Sequence, residues 1–142
     1  MDTNIVTFPT PTYETFSPDS RLYFDVWERP AYFNGGSGEY YHDPKHKHIV
    51  RLNEEAQTPI SIGLVGHTYK LLKNRELYEG IEDTFMETLT AEELHGVTRR
   101  DSISYNGGTC IRDYIFPAVR ADITSKRSDI AFRVIVINGY DG

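Results

Sequence analysis

The chain has 142 residues and a net charge of −6, with 25% charged and 39% apolar residues. This length allows one domain and leaves no room for a second independent core, and the composition is that of a folded rather than a disordered chain. The longest apolar run, residues 134–137, is far shorter than a membrane span. The N-terminus shows no basic-then-apolar secretory signal. We therefore expect a protein of the cytoplasm.

The charge is unevenly distributed along the chain. Residues 97–142 contain seven Lys and Arg against five Asp, a balance of +2, so the first 96 residues carry −8. Because contacts with phosphates supply most of the affinity for nucleic acids, an acidic chain argues against nucleic-acid binding. A local basic face on the C-terminal half remains compatible with it.

Residues 1–47 differ from the rest of the chain. They contain five prolines and the turn-rich segment Asn34–Gly38, and neither helical nor strand periodicity persists. They also hold ten of the eighteen aromatic residues. We interpret them as an extended arm whose rings pack on the core or on a neighbouring subunit. The alternative is a stacking surface for bases or another planar ligand.

The core is predicted to cover residues 48–142 and to begin with extended segments. Residues 48–52 and 60–65 read as strands, and 68–72 as a third extended piece. The apolar spacing of Leu77, Ile81 and Phe85 then predicts an amphipathic helix over residues 75–89, with Asn74 as its N-cap. A capping-box pattern at residues 90–93 predicts a short second helix that ends at Gly96.

The last third of the chain reads as antiparallel strands. The turn signal at residues 106–108 predicts a hairpin between strands 101–105 and 109–116, the second of which ends at Pro117. Residues 130–137 form the strongest strand, apolar on both faces apart from Arg133, and are predicted to be central. The predicted fold is thus α+β, an antiparallel sheet of about five strands packed against one main amphipathic helix and a short second helix. The chain stops directly behind its strongest strand, so we expect it to be the N-terminal part of a longer protein.

Three local patterns carry a family resemblance. They are the strand-to-helix passage at residues 66–76, with Tyr69 and then Asn74 before the helix, the Gly107-Gly108 pair before a strand that ends in Phe116-Pro117, and the closing turn at residues 138–142. In these features residues 48–142 resemble the N-terminal part of a phage and plasmid family catalogued as domain of unknown function 932. Family members continue past the Asp-Gly turn, and residues 1–47 have no counterpart there.

The resemblance implies a phage-encoded protein of DNA metabolism in the host cytoplasm, by analogy with single-strand annealing proteins. We accordingly expect a non-enzymatic homo-oligomer that binds single-stranded DNA. The predicted contacts to the DNA backbone are eight cations: Lys70, Lys73, Arg75, Arg99, Arg100, Arg112, Lys126 and Arg127. The alternative is an acidic protein-interaction module that inhibits a host protein, supported by the −8 charge of the first 96 residues.

Two further features bear on chemistry. Residues 42–48 hold three histidines and Asp43, a ligand-like cluster, but Pro44 and two lysines disfavour a bound cation, and a solvated turn is the preferred interpretation. Cys110 lies on a predicted strand, where a lone cysteine is usually a small buried hydrophobe. The chain lacks a phosphate-binding loop, a nucleophile elbow and a zinc-protease motif. A metal-dependent enzyme is therefore only a third hypothesis, and no cofactor is expected.

Overall fold

The computed structural model describes residues 2–7, 16–17, 19–121 and 130–141, and for residues 2–7, 120, 121, 130 and 131 it describes the backbone alone. Most of the described chain is extended. Its elements are, in chain order, β1 (Asp2–Thr7), β2 (Trp27–Asn34), β3 (Tyr40–Asn53), β4 (Thr58–Gly66), α1 (Asn74–Thr88), β5 (Thr98–Ser104), β6 (Thr109–Ala121) and β7 (Ile130–Gly139).

The strands form two antiparallel sheets. The larger sheet has the order β1-β5-β6-β7 and the smaller has the order β2-β3-β4. The predicted single sheet of about five strands is therefore wrong. Residues 2–7 and 27–34 escaped prediction because neither shows a sustained period-2 alternation, and the second is also interrupted by Pro30. Tertiary pairing makes both of them strands.

Helix α1 lies where its apolar spacing predicted it, and it packs on one face of the larger sheet. Ile81 and Phe85 contact a buried cluster that includes Tyr114 and Phe116 of β6. The rings of Phe85 and Tyr114 meet edge to face at 5.0 Å, an arrangement that adds to the hydrophobic gain of burial. This helix-on-sheet layer is the main core of the molecule.

The predicted second helix is absent among the described residues, and a run of turns takes its place. The capping box itself forms, because Thr90 N donates to the Glu93 carboxylate and Glu93 N donates to Thr90 Oγ1. However, the chain leaves these turns at Gly96, with φ of +74°, and enters β5 at Thr98. The stretch from Thr90 to Gly96 is too short for further helical turns before β5, so the capping hydrogen bonds stabilise a turn only.

The smaller sheet packs against the C-terminal end of β7. Ile49, Ile62 and Val65 form a buried cluster with Tyr140. Gly63 allows the closest approach, since a Cβ at this position would overlap the carbonyl oxygen of Tyr140. Strand β3 includes residues 47 and 48, the predicted boundary between arm and core. Its residues before and after this boundary are paired with neighbouring strands.

Strand β7 lies at the edge of its sheet. Among the described strands it pairs with β6 alone, although its sequence predicted a central position. β6 occupies that position instead and continues past Pro117 to Ala121, with a register shift between Phe116 and Arg120. Ile135 and Ile137 of this apolar strand are exposed.

Candidate functional site

Two of the predicted DNA-contacting cations are buried inside the main core. Arg112 of β6 and Arg99 of β5 are 0% and 1% exposed. Arg112 Nε donates to Asp101 Oδ1 at 2.7 Å, and its Nη1 donates to Glu82 Oε2 at 3.0 Å. Arg99 Nη1 donates to Glu82 Oε1 at 2.7 Å. Glu82 of α1 therefore bridges two arginines of the sheet below it.

Residues before β2 complete this ionic cluster. The hydroxyl of Ser20 donates to Asp101 Oδ2 at 2.9 Å and accepts from Arg112 Nη2 at 2.7 Å. The Tyr23 hydroxyl accepts from Arg112 Nη1 at 2.7 Å. Because buried ion pairs are stable only when their remaining polar atoms are hydrogen-bonded, these contacts anchor the 19–23 segment to the helix and the sheet.

The electrostatics of the cluster follow from burial and pairing. Burial raises the pKa of Glu82 above its ordinary value, against the opposing charges of Arg112 and Arg99. Burial by itself lowers the pKa of Arg112, but the hydrogen bond and charge of Asp101 raise it above its ordinary value. The guanidinium group of Arg112 thus remains charged, and those of Arg112 and Arg99 are both enclosed, so neither reaches a phosphate at the surface.

Arg100 lies on the opposite, outer face of the larger sheet. Its Nη2 donates to Asp113 Oδ2 at 3.0 Å, and Arg133 Nε donates to Asp113 Oδ1 at 2.9 Å. The hydrogen bond from Arg133 is the main cause that lowers the pKa of Asp113. Two half-exposed arginines therefore share one buried carboxylate.

The other predicted cations lie at or before the start of α1, or outside the described residues. Lys70 is exposed in the segment before the helix. Lys73 Nζ pairs with Asp25 at 3.0 Å, and Arg75 pairs with Glu79 one helical turn later at 2.9 Å. Lys126 and Arg127 lie outside the described residues. The six described cations are thus divided among the buried core, the outer sheet face and the α1 region.

The histidine-rich segment 42–48 lies on β3. His46 contacts the Asp43 carboxylate at 2.7 Å, and His48 contacts the Ser61 hydroxyl at 2.8 Å on β4. His42 packs its ring against Tyr32. No group of three or more His, Cys, Asp or Glu side chains among the described residues is arranged to hold a metal ion.

Cys110 is buried below the hairpin turn of β5 and β6. Its thiol donates to the carbonyl oxygen of Gly107 at 3.4 Å. Burial raises the pKa of the thiol, which keeps it protonated and a weak nucleophile. Its surroundings are those of a packed core residue.

The described aromatic residues of the N-terminal third include a packed group and an exposed group. Tyr23 and Phe24 pack on the core, whereas four rings on β2 and β3 are exposed. Strand β4 pairs with β3 only from His46 onward, so residues 31–45 project as a two-stranded ribbon. The rings on this ribbon are Tyr32, Phe33, Tyr40 and Tyr41, with exposed fractions of 59%, 52%, 69% and 48%.

Sequence reasoning grouped these rings into an arm but missed the hairpin that presents them. The signal was available, since Asn34–Gly38 is a glycine-containing turn flanked by short aromatic runs, a pattern typical of a hairpin loop. The register pairs Tyr32 with His42 and Phe33 with Tyr41. Because successive side chains alternate, Tyr32 and Tyr40 share one face of the ribbon, and Phe33 and Tyr41 share the other.

A second apolar surface lies on the outer face of β7. Ile135 and Ile137 are 52% and 62% exposed, and they lie on the same face of this edge strand as Arg133. The ladder with β6 places Ile137 beside Ile111 and Ile135 beside Asp113. An apolar edge strand is a template for pairing with another chain.

Comparisons with known proteins add no relative. No protein-family model, curated protein or solved structure matches this chain. The resemblance to the phage and plasmid family therefore stays a prediction. In the part of the chain that the structure describes, no helix is long and apolar enough to cross a membrane.

Proposed function

We propose that this protein is an interaction module that assembles with other copies of itself through the aromatic ribbon of residues 31–45. The observation that carries this proposal is the exposure of four aromatic rings on a ribbon that projects beyond its third strand. Large exposed apolar patches on soluble proteins mark interaction sites, and tyrosine and phenylalanine are enriched in protein interfaces.

The ribbon is preorganised for contact. The Asn34 side chain accepts a hydrogen bond from Gly36 N at 2.8 Å, and Gly35 N donates to the Glu39 carbonyl oxygen at 2.9 Å. Gly36 and Gly38 have φ of +100° and +89°, which glycine adopts without strain. A rigid tip lowers the entropy lost on association. Because a two-stranded ribbon alone is marginally stable in water, contact with a partner would also stabilise this ribbon.

The charge of the ribbon favours a protein partner over a nucleic acid. Its charged residues are Glu39, Asp43 and Lys45, and the Tyr41 hydroxyl donates to the Glu39 carboxylate at 2.8 Å. A nearly neutral surface offers little to phosphates. Rings on both faces suit pairing with an identical ribbon, since aromatic pairs gain about 0.5–1.5 kcal/mol beyond area burial.

Sedimentation velocity tests this proposal. We expect the wild-type protein to associate as its concentration rises over about 1–200 µM, the range of modest self-association. The pairs Tyr32→Thr/Tyr40→Thr and Phe33→Thr/Tyr41→Thr each remove one face while keeping a β-branched residue in the strand. We expect at least one pair to weaken association about tenfold or more, which corresponds to the loss of about 1.4 kcal/mol.

The matched control is Ile135→Thr/Ile137→Thr, which alters the β7 surface and leaves the ribbon intact. Assembly through the ribbon is contradicted if the wild-type protein stays monomeric over the whole concentration range. It is also contradicted if the β7 variant alone weakens association.

Single-stranded DNA binding is the second candidate, and the same rings favour it because bases stack on exposed aromatic side chains. Lys45 is the one cation of the ribbon. Fluorescence anisotropy with a labelled oligothymidine at low salt measures this activity. Binding that weakens with salt and is lost in Tyr32→Thr/Tyr40→Thr supports it, and the absence of binding at low salt removes it.

A further inference from the structure

An open cleft of about 830 Å³ lies away from the aromatic ribbon. The segment before β2, the turn between β3 and β4, and the turn between β5 and β6 all contribute to its walls. Its apolar lining comes from Leu52, Ile60 and Ile103, and polar residues from each of the three segments surround them. This volume lies in the range typical of small-molecule sites, about 300–1,000 Å³.

Arg51 of the cleft is held by two contacts. Its guanidinium carbon stacks 3.7 Å from the centroid of the Phe24 ring, and its Nη1 donates to the carbonyl oxygen of Asn106 at 3.2 Å. Phe24 is itself fixed edge to face against Tyr140. Among the described residues, no further hydrogen-bond partner satisfies the remaining N–H groups of Arg51. A planar guanidinium with free donors is suited to a carboxylate.

The turn that holds Arg51 is strained. Tyr105 and Asn106 have φ of +53° and +56°, a left-handed conformation that is unfavourable for a tyrosine. This conformation places the Asn106 carbonyl oxygen against Arg51. Backbone strain of this kind persists where the surrounding structure enforces it, and it clusters at binding sites.

The cleft also carries a second cation, Arg21, and two carboxylates. Glu54 and Glu55 line it from the β3–β4 turn, three and four residues beyond Arg51. Neither glutamate side chain forms an ion pair within the described part of the chain, and both are exposed. The cleft therefore presents cations at Arg51 and Arg21, a pair of glutamates in the β3–β4 turn, and an apolar surface that includes Ile60 and Ile103.

From this arrangement we infer that the cleft binds a small zwitterion with an apolar body. The carboxylate of the ligand pairs with Arg51, its amine pairs with Glu54 or Glu55, and its apolar part covers Ile60 and Ile103. Free amino acids and short peptides share this chemistry. The inference is independent of the ribbon, because no residue of 31–45 lines the cleft.

Titration of the ¹⁵N-labelled protein with leucyl-leucine tests the site by NMR. We expect saturable shifts at the Asn106 amide and the Arg51 Nε, with a Kd of about 5 mM or below. The N-acetylated dipeptide lacks the amine and the dipeptide amide lacks the carboxylate, so each is expected to bind at least about fivefold more weakly. The absence of shifts at about 20 mM dipeptide, or equal binding of all three forms, would overturn the inference. Free leucine distinguishes the two classes of ligand. An affinity equal to that of the dipeptide assigns the site to free amino acids, and a weaker affinity assigns it to short peptides.

Variants assign the two ends of the ligand. Arg51→Gln is expected to abolish the preference for the dipeptide over its amide, and Glu54→Gln/Glu55→Gln to abolish the preference over the acetylated form. Glu87→Gln/Glu92→Gln, two exposed positions outside the cleft, removes the same charge as the glutamate pair and should leave both preferences unchanged. Loss of both preferences in this control, or retention of both in the cleft variants, contradicts the assignment. The wild-type titrations stand on their own if a variant fails to fold.

Discussion

Arg112 and Arg75 both stack on the ring of Tyr23, yet they differ sharply in burial. Arg112 is fully buried between Asp101 and Glu82, whereas Arg75 forms a one-turn pair with Glu79 at the helix surface. Removing one partner of a buried pair leaves an uncompensated charge and costs about 3–5 kcal/mol. An exposed pair of this spacing contributes about 0.2–0.5 kcal/mol.

We therefore expect Arg112→Gln to lower the free energy of unfolding by about 3–5 kcal/mol. Arg75→Gln, the matched control, should lower it by at most about 1.5 kcal/mol, because it removes the pair with Glu79 and the stacking on Tyr23. Urea unfolding followed by circular dichroism, at one fixed protein concentration, measures both values. A change below about 1 kcal/mol for Arg112→Gln contradicts a structural role for the buried cluster.

Arg99 and Arg112 show which information a sequence lacks at the scale of the residue. Arg99 and Arg112 were interpreted as surface cations because a charged residue is rarely buried without a partner. Their partners, Glu82 and Asp101, come from another element and from a neighbouring strand, so only the folded arrangement brings them together. Cys110, Arg112 and Tyr114 are two residues apart along β6, so their side chains share one face of the strand. Because Cys110 and Tyr114 are buried, this spacing was the one available hint that Arg112 points inward.

At the scale of the element, local signals predicted well and pairing partners did not. Helix α1 and the turn at residues 105–108 follow from apolar spacing and turn chemistry, and both are present. Asn74 is the first helical residue rather than the N-cap, and its buried side chain donates to the Leu22 carbonyl oxygen. The apolar run of β7 predicted burial on both faces, but an edge strand with one open face shows the same run.

The β5–β6 turn provides an element-scale test. Tyr105 is 79% exposed, so its ring contributes little packing, and its left-handed backbone costs about 1–2 kcal/mol for a residue with a Cβ. We expect Tyr105→Gly to be about 1 kcal/mol more stable than Tyr105→Ala, the reverse of the usual order for these two residues. Thermal or urea unfolding of both variants measures the difference. An alanine variant as stable as the glycine variant contradicts strain at this turn.

At the scale of the whole molecule, two antiparallel sheets meet where Tyr140 packs against β4, and the ribbon of residues 31–45 extends away from the second sheet. The two-sheet arrangement was not predictable from the sequence, because it depends on which distant strands pair: β1 with β5 joins residues about a hundred positions apart. The aromatic content of the N-terminal third was predictable, and its interpretation as packing on a neighbouring subunit is the basis of the proposed assembly.

Hydrogen exchange of the backbone amides tests that assembly most directly, because it locates the contact on the chain. We expect the peptides that cover residues 31–45 to exchange more slowly as the protein concentration is raised through the association range, since contact with a second copy buries and stabilises the ribbon. Peptides from α1 should exchange equally at every concentration. Ribbon amides that exchange at the same rate at low and high concentration would contradict assembly through this surface.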